Sequence, residues 1–277
     1  MNTLGAIIPI ASLLLLITTG ALYTEYAGRM ALFLDGIINL SAFLCFAFTF
    51  ATGNIFIATC LSCFLCTALT FALERLATKC KADMFLVSLA MNLFFSALAS
   101  LISSLAFGTR GVLYSNLVMF DAKTVRLVTS ALCIVFSAAL IALLVFTREG
   151  LRFRITGSSP QVLDAQGISS DTYRALSWIC AALTSSFAGC ALCMRLSSFV
   201  PGMASGRGWT ALAAVFLGRK NPLLVILAVL VFAVAEYASS YIQNIPQFAG
   251  ISSGLLLALP YLLALLLMFF SKRSESE

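Results

Sequence analysis

Two cysteine runs are the first residues in this chain that invite chemistry: Cys60, Cys63 and Cys66 form a C-x2-C-x2-C run, and Cys190 and Cys193 a C-x2-C pair. Such spacing holds a metal or an iron–sulfur cluster when an irregular backbone wraps the ion. Both runs here lie inside uninterrupted apolar stretches, where a helix places the thiols on adjacent faces as small, polarizable packing residues. Cys45, Cys80, Cys133 and Cys180 are scattered singly and suggest no disulfide framework. Histidine is absent, which removes imidazole bases and His-ligated metals. No metal site is expected.

Polar residues inside the apolar stretches are few. Asp35 and Asn39 are one helical turn apart on one face, Asn92 lies midway along another stretch, and Glu236 lies two-thirds along a third. An Asp, Lys or Arg at the centre of a membrane helix costs roughly 2.5–3.5 kcal/mol. Such residues therefore line a solute path or act as hydrogen-bond glue between helices; Glu236 also reads as reaching an interface. The segment from Phe199 to Trp209 breaks the helical pattern with Pro201, Gly202, Gly206 and Gly208. A discontinuous helix of this kind presents half-helix N–H groups that favour polar or anionic solute groups, although a plain turn before a short helix fits the same residues.

The elements that position these residues follow from composition. The 277-residue chain is 61% hydrophobic and 10% charged, with a mean hydropathy of +1.03, which excludes a water-soluble globule. Apolar runs of spanning length occur at about 4–22, 30–52, 54–74, 83–107, 124–147, 174–194, 221–241 and 251–271, and a shorter one at 208–218. The expected fold is all-α: a single-domain (1–277) polytopic bundle of about eight full spans plus a short or broken segment. The first run lacks a basic leader region and reads as a retained span.

Lys and Arg set the orientation. With the N-terminus outside, the 208–218 run counted as a ninth crossing or half-crossing and the C-terminus inside, the inner side collects Arg29, Arg75, Lys79, Lys81, Arg148, Arg152, Arg154, Arg174, Arg219, Lys220, Lys272 and Arg273. Only Arg110, Lys123, Arg126, Arg195 and Arg207 fall outside. The long polar stretch at about 147–173 then faces inward. Pro160 suits an early helical position, with Ser158 or Ser159 as N-cap and Gly167 as C-terminal cap, predicting one short helix there.

That loop carries Gly150, Arg154, Gly157, Pro160, Gly167 and Ile168 in a G-x-x-x-R-x-x-G-x-x-P-x6-G-I pattern. It resembles the cytoplasmic coupling region of the integral-membrane permeases of bacterial ABC importers in the ribose and branched-chain amino acid group. Ala188-Gly189, Pro201-Gly202, Gly206-x-Gly208, Leu217-Gly218-Arg219 and Asn221-Pro222 are similar to the C-terminal half of that family. Glu25-x-x-Gly28 with Asp35-Gly36, and Val87-Ser-Leu-Ala-Met-Asn92-Leu93, agree with its N-terminal half, whereas Arg29 to Phe33 depart from it. The Glu25 element looks most like the branch that imports nucleosides or riboflavin.

The resemblance implies a transport subunit without covalent chemistry in the bacterial inner membrane. Implied partners are cytoplasmic ABC ATPase subunits that bind the ATP and Mg, a second permease subunit, an external solute-binding lipoprotein and membrane lipid, with no nucleic acid. It binds no cofactor itself. Gly150, Arg152, Arg154, Gly157, Pro160, Asp164 and Gly167 are expected to couple to the ATPase. Asn39, Asn92, Glu236, Gly202, Gly206 and Gly208 are expected on the path. Other readings are a simple-sugar permease, a secondary transporter with Glu236 as proton site, and a lipid-modifying enzyme, for which the chain lacks a carboxylate pair.

Overall fold

The computed structural model describes residues 3–115, 121–243 and 262. Seven helices are long and apolar enough to cross a membrane: α1 (Thr3–Tyr26), α2 (Leu34–Thr52), α3 (Ile55–Lys79), α4 (Met84–Phe107), α5 (Ala122–Phe146), α8 (Ser170–Leu196) and α10 (Pro222–Gln243). Three shorter ones are α6 (Arg148–Ser158), α7 (Pro160–Ala165) and α9 (Arg207–Leu217). A single antiparallel pair of two-residue strands, β1 (Leu113–Tyr114) and β2 (Ser198–Phe199), is the other regular structure among the described residues. The helical bundle expected from the apolar runs is the observed fold. Its eighth expected span, 251–271, lies outside the described residues except for Leu262.

Helix α8 is the centre of the bundle, packing against α1, α2 and α3. The cause is composition: between Ala181 and Cys193 its buried positions are almost all Ala, Ser, Thr, Gly or Cys, so neighbouring backbones approach closely. A Cβ on Gly189 would sit 3.1 Å from the Ile38 carbonyl carbon and nearer still to its oxygen and to Ser41 Oγ. Helices α3, α4 and α5 are peripheral, and expose Phe56, Phe64, Phe85, Leu93, Leu127 and Val135 outward, as lipid-facing surface requires. Large aromatics close the interior, with Phe33 against Trp178 and Phe43 against Phe199.

Two expectations need correction. The apolar run at 30–52 predicts helix from residue 30, but the chain leaves helix at Tyr26 and resumes it at Leu34. Gly28 turns it in the left-handed region (φ +72°), and Ala31, Leu32 and Phe33 are buried in irregular backbone. The polar stretch after α5 contains two helices, not one. Thr147 Oγ1 caps α6 by accepting from Gly150 N–H at 3.2 Å; Pro160 stands at the first position of α7, and Gly167 follows its C-cap with φ +77°.

Candidate functional site

Irregular backbone at membrane depth survives only where other groups satisfy its hydrogen bonds. The break before α2 meets that condition through three distant side chains. Ser88 Oγ accepts from Leu32 N–H at 2.6 Å, Asn92 Oδ1 from Gly36 N–H at 2.6 Å, and Trp178 Nε1 donates to the Arg29 carbonyl at 3.1 Å. Asn92 lies eight residues into α4, roughly 12 Å from its first residue at 1.5 Å per residue, so α2 begins well inside the bundle.

The break before α9 meets the same place. Asp35, in the first turn of α2, accepts from Gly208 N–H at 2.7 Å, and Asn39, a turn later, accepts from Ala204 N–H at 3.1 Å. Side chains of one helix start thus cap the start of another. Gly208 is required by proximity, because a Cβ there would stand 2.8 Å from Asp35 N and 2.9 Å from Leu34 Cβ. Arg207, between the two glycines, donates to the Glu236 carboxylate on α10 and to the Met203 carbonyl at 3.0 Å. At eleven residues α9 is about 16 Å long, half the ~30 Å hydrocarbon core.

The structure therefore brings Asn39, Asn92, Gly206, Gly208 and Glu236 together around the first turn of α2. Gly202 stands apart in an exposed turn at φ +75°. The carbonyl oxygens of Asn39 and Asn92 are committed to backbone N–H groups. Among the described residues their amide NH2 groups make no hydrogen bond, and both residues are part-exposed. Asp35 and Arg207 belong to the same cluster. Arg207 escaped sequence reasoning, although its place between two helix-breaking glycines and the need of Glu236 for a cation both pointed to it.

The opposite centre is where α1 and α3 end, α8 begins and α6 and α7 lie. Gly157 of α6 rests on the end of α1: a Cβ there would meet the Tyr26 carbonyl carbon at 3.0 Å and Gly28 N at 3.1 Å, with the Tyr26 oxygen nearer. Gly150 packs equally closely on Leu144. The Arg154 guanidinium lies 5.2 Å over the Tyr26 ring, and Arg152 bonds Tyr173 Oη at 3.1 Å and pairs with Glu149. Asp164 caps α8, accepting from Ser170 N–H at 2.9 Å and Oγ–H at 3.1 Å.

Two further contacts bind this end. Lys220, in the α9–α10 turn, reaches Glu25 Oε2 at 3.2 Å and the Glu25 carbonyl at 3.1 Å, and the Tyr26 hydroxyl donates to the Lys220 carbonyl. Arg29 pairs with Glu74 at 2.8 Å and Asp171 at 2.9 Å. Burial pulls the Arg29 guanidinium below its ordinary value, while Asp171 and Glu74 push it back up. Of the cysteines, Cys45, Cys63, Cys66, Cys190 and Cys193 are buried among α2, α3 and α8 and none is paired. Among the described residues no group of three or more potential ligands is arranged to hold a metal.

Residues 3–271 match the family model described as the branched-chain amino acid transport system / permease component. The chain belongs to this ABC permease family. Among curated permease relatives, it is 30% identical to the guanosine ABC transporter permease of Bacillus subtilis over 139 residues, half of this chain and 44% of that protein. It is 23% identical to a putative glucose ABC transporter permease of Haloferax volcanii over 84% of this chain and 75% of that one. An uncharacterized Mycoplasma genitalium protein is 29% identical over 69% of this chain and 64% of its own. The chain thus spans less than two-thirds of the length of the first relatives it matches. A similar fold is seen in PsaBC from Streptococcus pneumoniae in complex with Fab, with a TM-score of 0.58 at 14% identity, covering 99% of this chain and 94% of that one.

Proposed function

We propose that this chain is the membrane subunit of an ATP-driven importer and passes a nucleoside-like solute or riboflavin delivered by an external binding lipoprotein. The observation that carries the reading is the backbone contact of Gly157 with Tyr26 and Gly28. Through it, α6 and α7 are fixed to the end of α1, which holds the α9–α10 turn through Lys220. Leu151 of α6 and Val162 of α7 stay exposed at that end, a surface fit for the cytoplasmic ATPase subunits, whose ATP and Mg drive the cycle.

One mechanical chain then runs from the docking surface to α9, whose far end rests on Asp35 and Asn39. The free amide groups of Asn39 and Asn92, with Glu236, Gly206 and Gly208, form the polar side of the path, completed by a second permease subunit. The positive excess at the α6–α7 end supports an N-out, C-in orientation in a bacterial inner membrane. A reporter enzyme fused after Glu277 should be active in the cytoplasm; a periplasmic signal refutes the orientation.

The guanosine permease relative supports the nucleoside class. The sugar alternative is favoured by the longer alignment with the Haloferax protein. Reconstitution with the ATPase and binding protein, followed by uptake of labelled inosine, riboflavin and ribose, separates them. ATP-dependent inosine or riboflavin uptake resisting ribose competition supports the reading, and selective ribose uptake overturns the cargo. Uptake that survives ATP depletion but collapses with the proton gradient overturns the ATP-driven mechanism.

A further inference from the structure

At the end of α8 away from α6 and α7, Arg195 ties three helices together. Its Nε donates to Thr129 Oγ1 at 2.9 Å, Nη1 to the Pro9 carbonyl at 2.6 Å, and Nη2 to Ser130 Oγ at 3.0 Å and Ser12 Oγ at 3.3 Å. All four acceptors are neutral. One of the five guanidinium N–H groups remains, and the charge is unbalanced. Beside it opens a cavity of about 450 Å³, onto which Arg126 and Arg207 also face. Glu236 balances Arg207, whereas Arg126 pairs with no group among the described residues.

The chain holds few acids that could answer this charge. Asp35 caps Gly208 and Asp121 caps Thr124. Glu25, Glu74, Asp83, Glu149, Asp164 and Asp171 belong to the opposite end, where α1 and α3 finish and α4 and α8 start. Beyond Glu236 the sequence has no acidic residue before Glu275. Two guanidiniums therefore face this cavity without an anion among the described residues, Arg195 part-buried and Arg126 exposed at its edge; the unbalanced charge of the part-buried Arg195 is costly unless a ligand supplies an anion. A guanidinium fork matches phosphate oxygens bidentately.

The remaining wall names the rest of the ligand. Ile10, Leu13, Leu192 and Val200 make it apolar, and nearby Ile8, Leu127 and Val128 are exposed on the lipid-facing flank of α1 and α5. Tyr237, on the same cavity, is a side chain suited to the headgroup level. We propose that this cavity binds the phosphate of an anionic phospholipid, held by Arg126 and Arg195, with the glycerol and upper acyl carbons on the α1 wall. The site borders the path cluster at Arg207 and lies at the opposite end of α8 from the docking surface on α6 and α7.

The test uses the purified full chain in a neutral detergent, with phosphatidylglycerol, uncharged monoolein and soluble glycerol phosphate as probes. Thermal unfolding and native mass spectrometry are the readouts. The expected result is retention of phosphatidylglycerol over monoolein, a Tm rise that saturates, and at least a five-fold weaker apparent affinity in Arg126→Gln. Arg126 makes no side-chain bond among the described residues, so this variant keeps the fold, whereas Arg195 variants risk losing it. Lys79→Gln/Lys81→Gln, at the opposite end, should bind as the wild type does. Equal affinity in Arg126→Gln, or loss in the lysine double variant, overturns the site. A Tm rise with glycerol phosphate and no preferential lipid retention overturns the lipid as its occupant in favour of a soluble phosphate ester.

Discussion

Replacing Gly157 with Ala tests the junction on which the transport reading rests. The added Cβ would lie 3.0 Å from the Tyr26 carbonyl carbon and 3.1 Å from Gly28 N, with the Tyr26 oxygen nearer. Those atoms are backbone and cannot rotate away. Restoring an ordinary separation of about 3.5 Å requires the end of α1 and α6 to part by roughly 1 Å. Overpacking of this kind costs about 1–3 kcal/mol, a fraction of the roughly 5–15 kcal/mol that holds a domain folded. If the cost falls on the α6–α1 contact, the docked population drops roughly 5- to 150-fold, since about 1.4 kcal/mol is a factor of ten.

The chain should therefore insert and unfold cooperatively while uptake collapses and ATP hydrolysis no longer responds to loaded binding protein. Gly167 gives the contrast. Its φ of +77° disfavours most side chains, but nothing lies within 4 Å of a Cβ there. Asn tolerates that region, so Gly167→Asn should retain most uptake. Wild-type uptake in Gly157→Ala at unchanged Tm would falsify the close contact and the coupling role built on it.

Asp35→Ala removes the acceptor of Gly208 N–H and should cost about 1–3 kcal/mol, read as a lower Tm; Asp35→Asn keeps an acceptor and should recover at least half of that loss. An equal loss in both would mean that the charge, not the hydrogen bond, holds α9. Gly189→Leu must push α8 off α2 and should abolish folded monomeric protein in size-exclusion chromatography; a normal profile contradicts the packing around Ile38 and Ser41. Arg29→Ala leaves the Glu74 carboxylate, 2% exposed, without its nearest cation. The loss should be about 3–5 kcal/mol, and Arg29→Ala/Glu74→Ala should be more stable than Arg29→Ala alone. Additive losses in that double variant would show the pair is not coupled.

The seven long helices were legible because a spanning helix needs only an unbroken apolar run, and the break at Pro201 to Gly208 was legible because Pro and Gly interrupt one. The break at 27–33 was not. Met30 to Phe33 are apolar and helix-compatible, Gly28 is the lone local signal, and the groups that satisfy the unwound backbone are Ser88, Asn92 and Trp178, far away in sequence. Asn39 and Asn92 were recognisable as polar residues in apolar runs, but not the backbone N–H groups they would serve. In the polar loop, Pro160 fixed the start of α7, whereas α6 was hidden because Gly150 and Gly157 weaken its propensity. Those glycines are tolerated there because packing on Leu144 and Tyr26 leaves no room for a Cβ.

The two breaks explain each other. A helix that starts inside a bilayer leaves its first N–H groups without water, each worth several kcal/mol if unsatisfied. In this chain α2 and α9 both start there, and they solve the problem jointly: α2 contributes Asp35 and Asn39 to the chain entering α9, while α4 contributes Ser88 and Asn92 to the chain entering α2. Neither start is satisfied alone, so α4, α2 and α9 form a relay in which each link depends on a side chain from its neighbour. Its last member, α9, is a two-ended rod of eleven residues, capped at Gly208 by α2 and tied through Lys220 to Glu25 and Tyr26 at the end of α1, where Gly157 brings in α6. Displacing α1 against α2 must therefore strain a hydrogen bond at one end of α9 or the other. That is the mechanical property a gated path requires of an element joining the proposed polar lining to the proposed docking surface.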